Sequence, residues 1–257
     1  MKSTRVLSAA LAALLVAGCS APPTGSAPAP ASTAAVSSSS APAGGQEVDK
    51  TALLQQITQA QAGVKTSTTT MDGNTTTAGK TTPIRLVSVV DQTKAGHLLT
   101  KTTMSTAGAD INMIIDGETY YMQMGGVWFK LNKASIESSG VSVPDVTDQS
   151  AALKDMQAKV QRIVFVGDET VDGVATKHYL LTMDGSALAS LGTGATAAPT
   201  TATIPYDMWV DGNSLMRKFA VTLKQDSGDF SMTGVISKIN EPVSIEIPTD
   251  AKPFPGQ

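Results

Sequence analysis

The sequence predicts an α+β domain built as one long, curved antiparallel sheet whose apolar face wraps over a few α-helices. Three observations lead there. Asp-Gly pairs recur at Asp72-Gly73, Asp116-Gly117, Asp172-Gly173, Asp184-Gly185 and Asp211-Gly212; the segments around several of them alternate apolar with polar residues; and two other segments carry apolar residues at helical spacing. Asp-Gly suits tight turns whose central residues need positive φ. Alternation is the period of a half-buried strand, and i, i+3, i+4 spacing that of a helix. The order of helix, strands, helix and further strands lacks the regular βαβ repeat of a parallel sheet.

Taken along the chain, the first helix has Leu53, Leu54, Ile57 and Val64 on one stripe behind Asp49, a suitable N-cap. The next clear strands carry Ile111, Met113 and Ile115, then Tyr120, Met122 and Met124, then Val127, Phe129 and Leu131. Gly125-Gly126 separates the last two, and hairpins are expected at the second, third and fifth Asp-Gly pairs. A second helical stripe of Ala152, Leu153, Met156 and Val160 follows a cap at Thr147 or Asp148, and a short third helix is read at residues 186–191. Tyr179, Leu181 and Met183 alternate with polar positions, as do Phe219, Val221 and Leu223. Tyr206, Met208 and Val210 share a face from which Trp209 points away, and Phe230, Met232 and Ile236 complete the set. Gly234 among them marks a bulge or a close approach. The opposite sheet face should meet water, which fits the Thr- and Lys-rich alternate positions near Thr100 to Thr103 and Lys218 to Lys224.

The N-terminus predicts where this domain works. Lys2 and Arg5 precede an apolar run from Val6 to Ala17, a charged region followed by a hydrophobic one as in a secretory leader. The run is short of the roughly 20 residues that span a bilayer. It ends in Leu15-Val16-Ala17-Gly18-Cys19-Ser20, which resembles the bacterial lipobox. That resemblance implies a diacylglyceryl group on Cys19 and cleavage before it. Cys19 is the one cysteine of the chain, so it has no internal disulfide partner and acylation would consume the thiol. Each acyl methylene moved into lipid gains about 0.8 kcal/mol, and two chains give stable anchoring where one does not. Residues 1–18 are therefore expected to be a signal peptide and 19–46 a lipidated tether. Ala, Pro, Ser, Thr and Gly dominate the tether and leave it too little apolar surface to fold. Its reach as a coil of about 25 residues is roughly 25–30 Å. Residues 47–257 form one domain, long enough for a substantial core. The expected location is the cell membrane, lipid-anchored on the extracytoplasmic side.

Loss of Lys2 and Arg5 with the leader takes the formal net charge from −3 to −5, and no basic stripe remains to engage nucleic acid. The two histidines, His97 and His178, have neither metal-ligand spacing nor a motif nucleophile beside them. His178, alternating with inward Tyr179, reads as a surface residue. No enzyme activity, metal or cofactor is expected. Residues 192–197 match a dinucleotide fingerprint in letters only, because they follow a helix and precede a strand, the reverse of the required order. The loop 192–203 around them is either a lid over a cavity mouth or unstructured.

This order of parts resembles the actinobacterial LppX/LprAFG lipoprotein family, which shares a half-barrel fold with the carriers LolA and LolB. The resemblance rests on the lipobox and spacer, the opening helix, residues 115–121, residues 167–174 leading to His178-Tyr179, and Met208-Trp209-Val210-Asp211-Gly212. It implies an apolar cavity that binds acylated lipid or glycolipid and hands it on within the envelope, with an envelope transporter as a candidate partner. The protein is expected to act as a monomer. Among matched positions the resemblance assigns a role to Cys19 alone. The side chains expected to line the cavity are Met113, Ile115, Tyr120, Met122, Met124, Phe129, Met183, Tyr206, Met208, Phe219, Val221 and Met232. Eleven methionines against eleven aromatic residues favour an adaptable apolar lining, since methionine is flexible and polarizable. The rival expectation is a tethered interaction or sensor domain with a closed core and no lipid cargo.

Overall fold

The computed structural model describes residues 45–77, 79–106, 109–132, 157–186, 203–225 and 228–254. The chain divides into two units, Met1–Ser39 and Ser40–Gln257, and every described residue belongs to the second. Cys19, the leader, almost all of the tether, residues 148–156 of the expected second helix, residues 187–191 of the third and loop residues 192–202 lie outside the described set.

Among the described residues, thirteen strands form one open, curved sheet. In chain order they are β1 (Gln46–Glu47), β2 (Thr66–Thr77), β3 (Lys80–Asp91), β4 (Leu99–Thr106), β5 (Ala109–Asp116), β6 (Thr119–Met124), β7 (Val127–Asn132), β8 (Val160–Val171), β9 (Val174–Asp184), β10 (Thr203–Asp211), β11 (Met216–Gln225), β12 (Gly228–Ser237) and β13 (Lys252–Pro253). In space they run β1-β8-β9-β10-β11-β12-β2-β3-β4-β5-β6-β7-β13. Neighbours are antiparallel except β13, which lies parallel to β7. The balance is more β-rich than the expected α+β class. A single complete helix, α1 (Lys50–Ala62), is described.

The start and stop of α1 follow from its caps. Asp49 accepts hydrogen bonds from the backbone N–H groups of Thr51 and Ala52, and Gly63 closes the last turn by donating to Ala60. Leu54 and Ile57 of the expected stripe are buried, Leu53 is half-buried, and Val64 falls beyond the helix. Gln157 to Lys159 are helical, but Val160, expected to end the second stripe, is the first residue of β8. It pairs with Met183 and is 1% exposed. A β-branched side chain buried against a neighbouring strand satisfies the strand better than a helix end.

Asp172 and Gly173, both at positive φ, make the two-residue turn between β8 and β9. At the next hairpin the turn is displaced by one residue. Asp116 pairs with Thr119, so Gly117, at φ 59°, and Glu118 form it. Asp211 organises the β10–β11 connection with its side chain, accepting from the N–H groups of Asn213 and Leu215 and from Arg217 Nε. Asp72-Gly73 is no turn, since both residues pair in the middle of β2. A Cβ at position 73 would stand 2.7 Å from the Ser231 carbonyl oxygen, so close strand approach explains that glycine. Gly234 is also a close approach, because a Cβ there would occupy the space of the Phe219 ring.

One sheet face, here the inner face, packs against α1. Leu54 and Ile57 join Val160, Ile163, Tyr179, Leu181, Met183, Ile204, Tyr206, Met208, Val210, Val221, Leu223 and Phe230 in one buried cluster. The core therefore sits over β8 to β12. The outer face is not uniformly wet as expected, since Ile114, Tyr121, His178 and Trp209 are all buried on it. After β12 the chain turns back at Asn240, which bonds Lys65 and Thr66, and Glu241 accepts from the Thr66 hydroxyl. It then reaches the far edge of the sheet, where β13 covers β7 and Phe254 meets Phe129 edge-on at 5.9 Å.

Candidate functional site

Register places all twelve expected lining residues on the inner face. One row runs through Met208, Phe219, Gly234, Met71, Leu86, Met104 and Ile111 as cross-strand partners. A second runs through Ile236, Thr69, Ser88, Thr102, Met113, Met122 and Phe129. A third joins Ser67, Val90, Thr100, Ile115, Tyr120 and Leu131. No register shift interrupts the pairing from β11 to β7, so the alternation of faces holds across that span.

Burial divides this face in two. Met183, Tyr206, Met208 and Val221 are buried in the cluster under α1, and Phe219 and Met232 pack against it. Tyr206 stacks on Phe219 at 6.0 Å, its hydroxyl lies 3.9 Å from Met216 Sδ, and burial pushes its phenol well above the ordinary range. Over β3 to β7 the same face is looser. Met104, Met113, Ile115, Met122 and Phe129 are half-buried, and Ile111 and Met124 are 40% and 50% exposed. Tyr120, at 5%, is the buried exception among the expected lining residues of this half. A recess of about 230 Å³ lies at the β7–β13 edge, lined by Thr119, Lys130, Leu131, Asn132, Ala251 and Pro253 and by none of the methionines.

The outer face holds a cluster that sequence reading missed. His178, expected at the surface, is 6% exposed. Its Nδ1 lies 2.8 Å from Glu169 Oε1 and its Nε2 lies 2.7 Å from Asp207 Oδ1. Its ring stacks on Trp209 at 4.2 Å, Trp209 Nε1 donates to Glu169 Oε2, and Lys218 Nζ sits 4.2 Å from the centre of a Trp209 ring. His178, Trp209 and Lys218 are direct partners on β9, β10 and β11, so the stack is a consequence of register. Burial alone lowers the His178 pKa, but the hydrogen bond and charge of Asp207, with those of Glu169, outweigh it and raise the pKa above the ordinary value. The imidazolium satisfies both carboxylates, whereas a neutral ring can donate to only one. Among the described residues no group of three or more His, Cys, Asp or Glu side chains is arranged to hold a metal ion.

An open, mostly antiparallel sheet of this kind is a fold already seen in mycobacterial proteins. The structure is similar to LprF from Mycobacterium bovis, with a TM-score of 0.54 at 16% identity over 81% of this chain and 100% of that one. It is similar in the same way to the lipoprotein LppX of Mycobacterium tuberculosis, with a TM-score of 0.51 at 18% identity over 77% of this chain and 100% of that one. The resemblance is thus met at the level of a β-rich, open curved sheet shared with these proteins. In sequence, residues 5–239 match the family of unknown function DUF7537, and the chain belongs to that family. No curated protein matches it.

Proposed function

We propose that this protein is a lipoprotein, anchored through diacylglyceryl Cys19 on the extracytoplasmic side of the membrane, that holds an acylated lipid or glycolipid on its inner face and passes it on within the envelope. The observation that carries the reading is the division of that face. Helix α1 and the buried cluster fill it over β8 to β12, while the continuation over β3 to β7 offers half-buried and exposed methionine, isoleucine and phenylalanine side chains. Acyl chains need a continuous apolar surface more than any particular residue. Methionine adapts to chains of varied shape. The sheet wrapping over helices as a half-barrel, action as a monomer and the absence of catalysis belong to the same proposal.

The lipobox-like segment and the likeness of fold to a protein described as a lipoprotein support the anchor. No described helix is long and apolar enough to cross a membrane. Native mass spectrometry of delipidated protein mixed with an envelope lipid extract is expected to recover a lipid-bound species; protein that stays lipid-free would overturn the reading. Cell fractionation tests the anchor separately, since Cys19→Ala protein should leave the membrane fraction, and its retention there would refute acyl anchoring.

A further inference from the structure

Among the described residues, the inner face of β2 to β7 carries a single charged side chain, at one tip. The side chains that register places there on β2 are Ser67, Thr69, Met71, Thr75 and Thr77, with Gly73 between them, and their successors on β3 are Lys80, Thr82, Ile84, Leu86, Ser88 and Val90. From β4 to β7 the same face bears threonine, methionine, isoleucine, tyrosine, valine, phenylalanine and leucine. Lys80 is the one ionisable group apart from the tyrosine, and it sits exposed at the β2–β3 tip. Within this surface five hydroxyls adjoin on three neighbouring strands: Ser67 and Thr69, Ser88, and Thr100 and Thr102. All five are half-buried. Ser88 and Thr102 lie 3.2 Å apart and bond each other, while Ser67, Thr69 and Thr100 take no side-chain hydrogen-bond partner from the strands around them. Apolar residues bound the patch, with Met71, Leu86 and Met104 along the strands and Met113, Ile115 and Ile236 to the sides.

From this arrangement we infer that Ser67, Thr69, Ser88, Thr100 and Thr102 form a polar subsite for the ester or hydroxyl groups of an uncharged acyl lipid. The inference rests on the lipid-binding reading and narrows its cargo. A hydroxyl both donates and accepts, so the patch matches ester carbonyls and alcohols. A phosphate taken into this patch would lose water without meeting a cation or a convergent set of N–H donors, and burying an unpaired charge is strongly unfavourable. The apolar rows on either side of the patch give the attached chains a place to lie.

The test uses the delipidated full-length protein with two probes of identical chains, dioleoylglycerol and dioleoylphosphatidylglycerol, and hexadecane as a plain hydrocarbon. The neutral lipid is expected to bind at least tenfold more tightly than the phospholipid. Thr69→Val/Thr102→Val should weaken dioleoylglycerol binding about five- to tenfold, as expected for losing one or two neutral hydrogen bonds. Hexadecane binding should be unchanged in that variant, which also reports that its apolar surface is intact. Thr69→Ser/Thr102→Ser keeps the hydroxyls and should bind as the parent does. Equal affinity for the two dioleoyl lipids, or a valine variant that binds dioleoylglycerol as the parent does, overturns the subsite and leaves lipid binding standing. Failure of the parent to bind any of the three probes overturns both.

Discussion

His178 is held between Glu169 and Asp207 and stacked on Trp209, so its charge state is tied to the join of β8, β9 and β10. Its pKa is raised in the folded protein. A group raised on folding contributes stability that is complete below its unfolded value, about 6.5, and that is lost as pH climbs through the folded value. Removing the ring leaves two carboxylates facing each other without their cation, at a cost of about 3 kcal/mol. His178→Gln should therefore melt lower by roughly 6–12 °C near pH 6, and the gap to the parent should narrow steadily toward pH 9. A gap that is constant or widens with pH would show that the imidazolium is not what matters. At the same scale, Gly234→Ala forces the Phe219 ring from its place beside Tyr206 and should cost about 1–3 kcal/mol in a denaturant melt. An unchanged midpoint would show that the ring yields freely. Gly234 could be read in advance, because a glycine inside an alternating strand has few other uses. His178 could not, since its partners come from other strands and alternation reports only the face, never the neighbours across the sheet.

At the scale of elements, α1 and the hairpin strands were legible for local reasons. Asp49 followed by a spaced apolar stripe is a helix start written in adjacent residues, and its cap is observed as expected. Alternation likewise assigned Met113, Tyr120, Phe129, Met208 and Val221 to one face before any pairing was known. Val160 failed because strand and helix periods coincide over a short apolar run, and only its cross-strand partner Met183 distinguishes them. Asp72-Gly73, where no hairpin was expected, shows that the same dipeptide serves a turn or a close strand contact. The helix itself depends more on packing than on its cap. Ile57→Ala should lose about 2–5 kcal/mol by opening a cavity in the cluster on β8 to β12, and Asp49→Ala only about 1 kcal/mol by leaving two N–H groups without a side-chain acceptor. Thermal melts followed by circular dichroism check that order, and a larger loss from Asp49→Ala would reverse the account.

At the scale of the whole molecule, the sequence conveyed one sheet with one apolar face but not the order in which strands assemble. Placement of β12 beside β2 brings late and early strands together, and this is what makes the inner face continuous from the packed core to the methionine-bearing half. The assembly leaves β8 and β7 at the two ends, and each is covered by a strand of only two residues, β1 and β13. An uncovered strand edge exposes a row of unpaired N–H and C=O groups that invites pairing with another chain. On β7 the cover comes from a segment tied to β2 through Asn240 and Glu241 and to the inner face through Phe254 on Phe129. A chain ending at Asp250 loses β13 and Phe254 while keeping the tie at β2. It should fold, as its buried cluster over β8 to β12 contains none of the deleted residues, and it should associate through β7 as its concentration rises. Size-exclusion chromatography with light scattering at several concentrations checks this. If the truncated chain stays at the mass of one protomer throughout, β13 is not what keeps this edge from pairing. If the full-length chain also associates, the second edge at β8 becomes the one to alter next, beginning at Gly45, whose lack of a side chain lets the strand entering β1 lie directly against Val164.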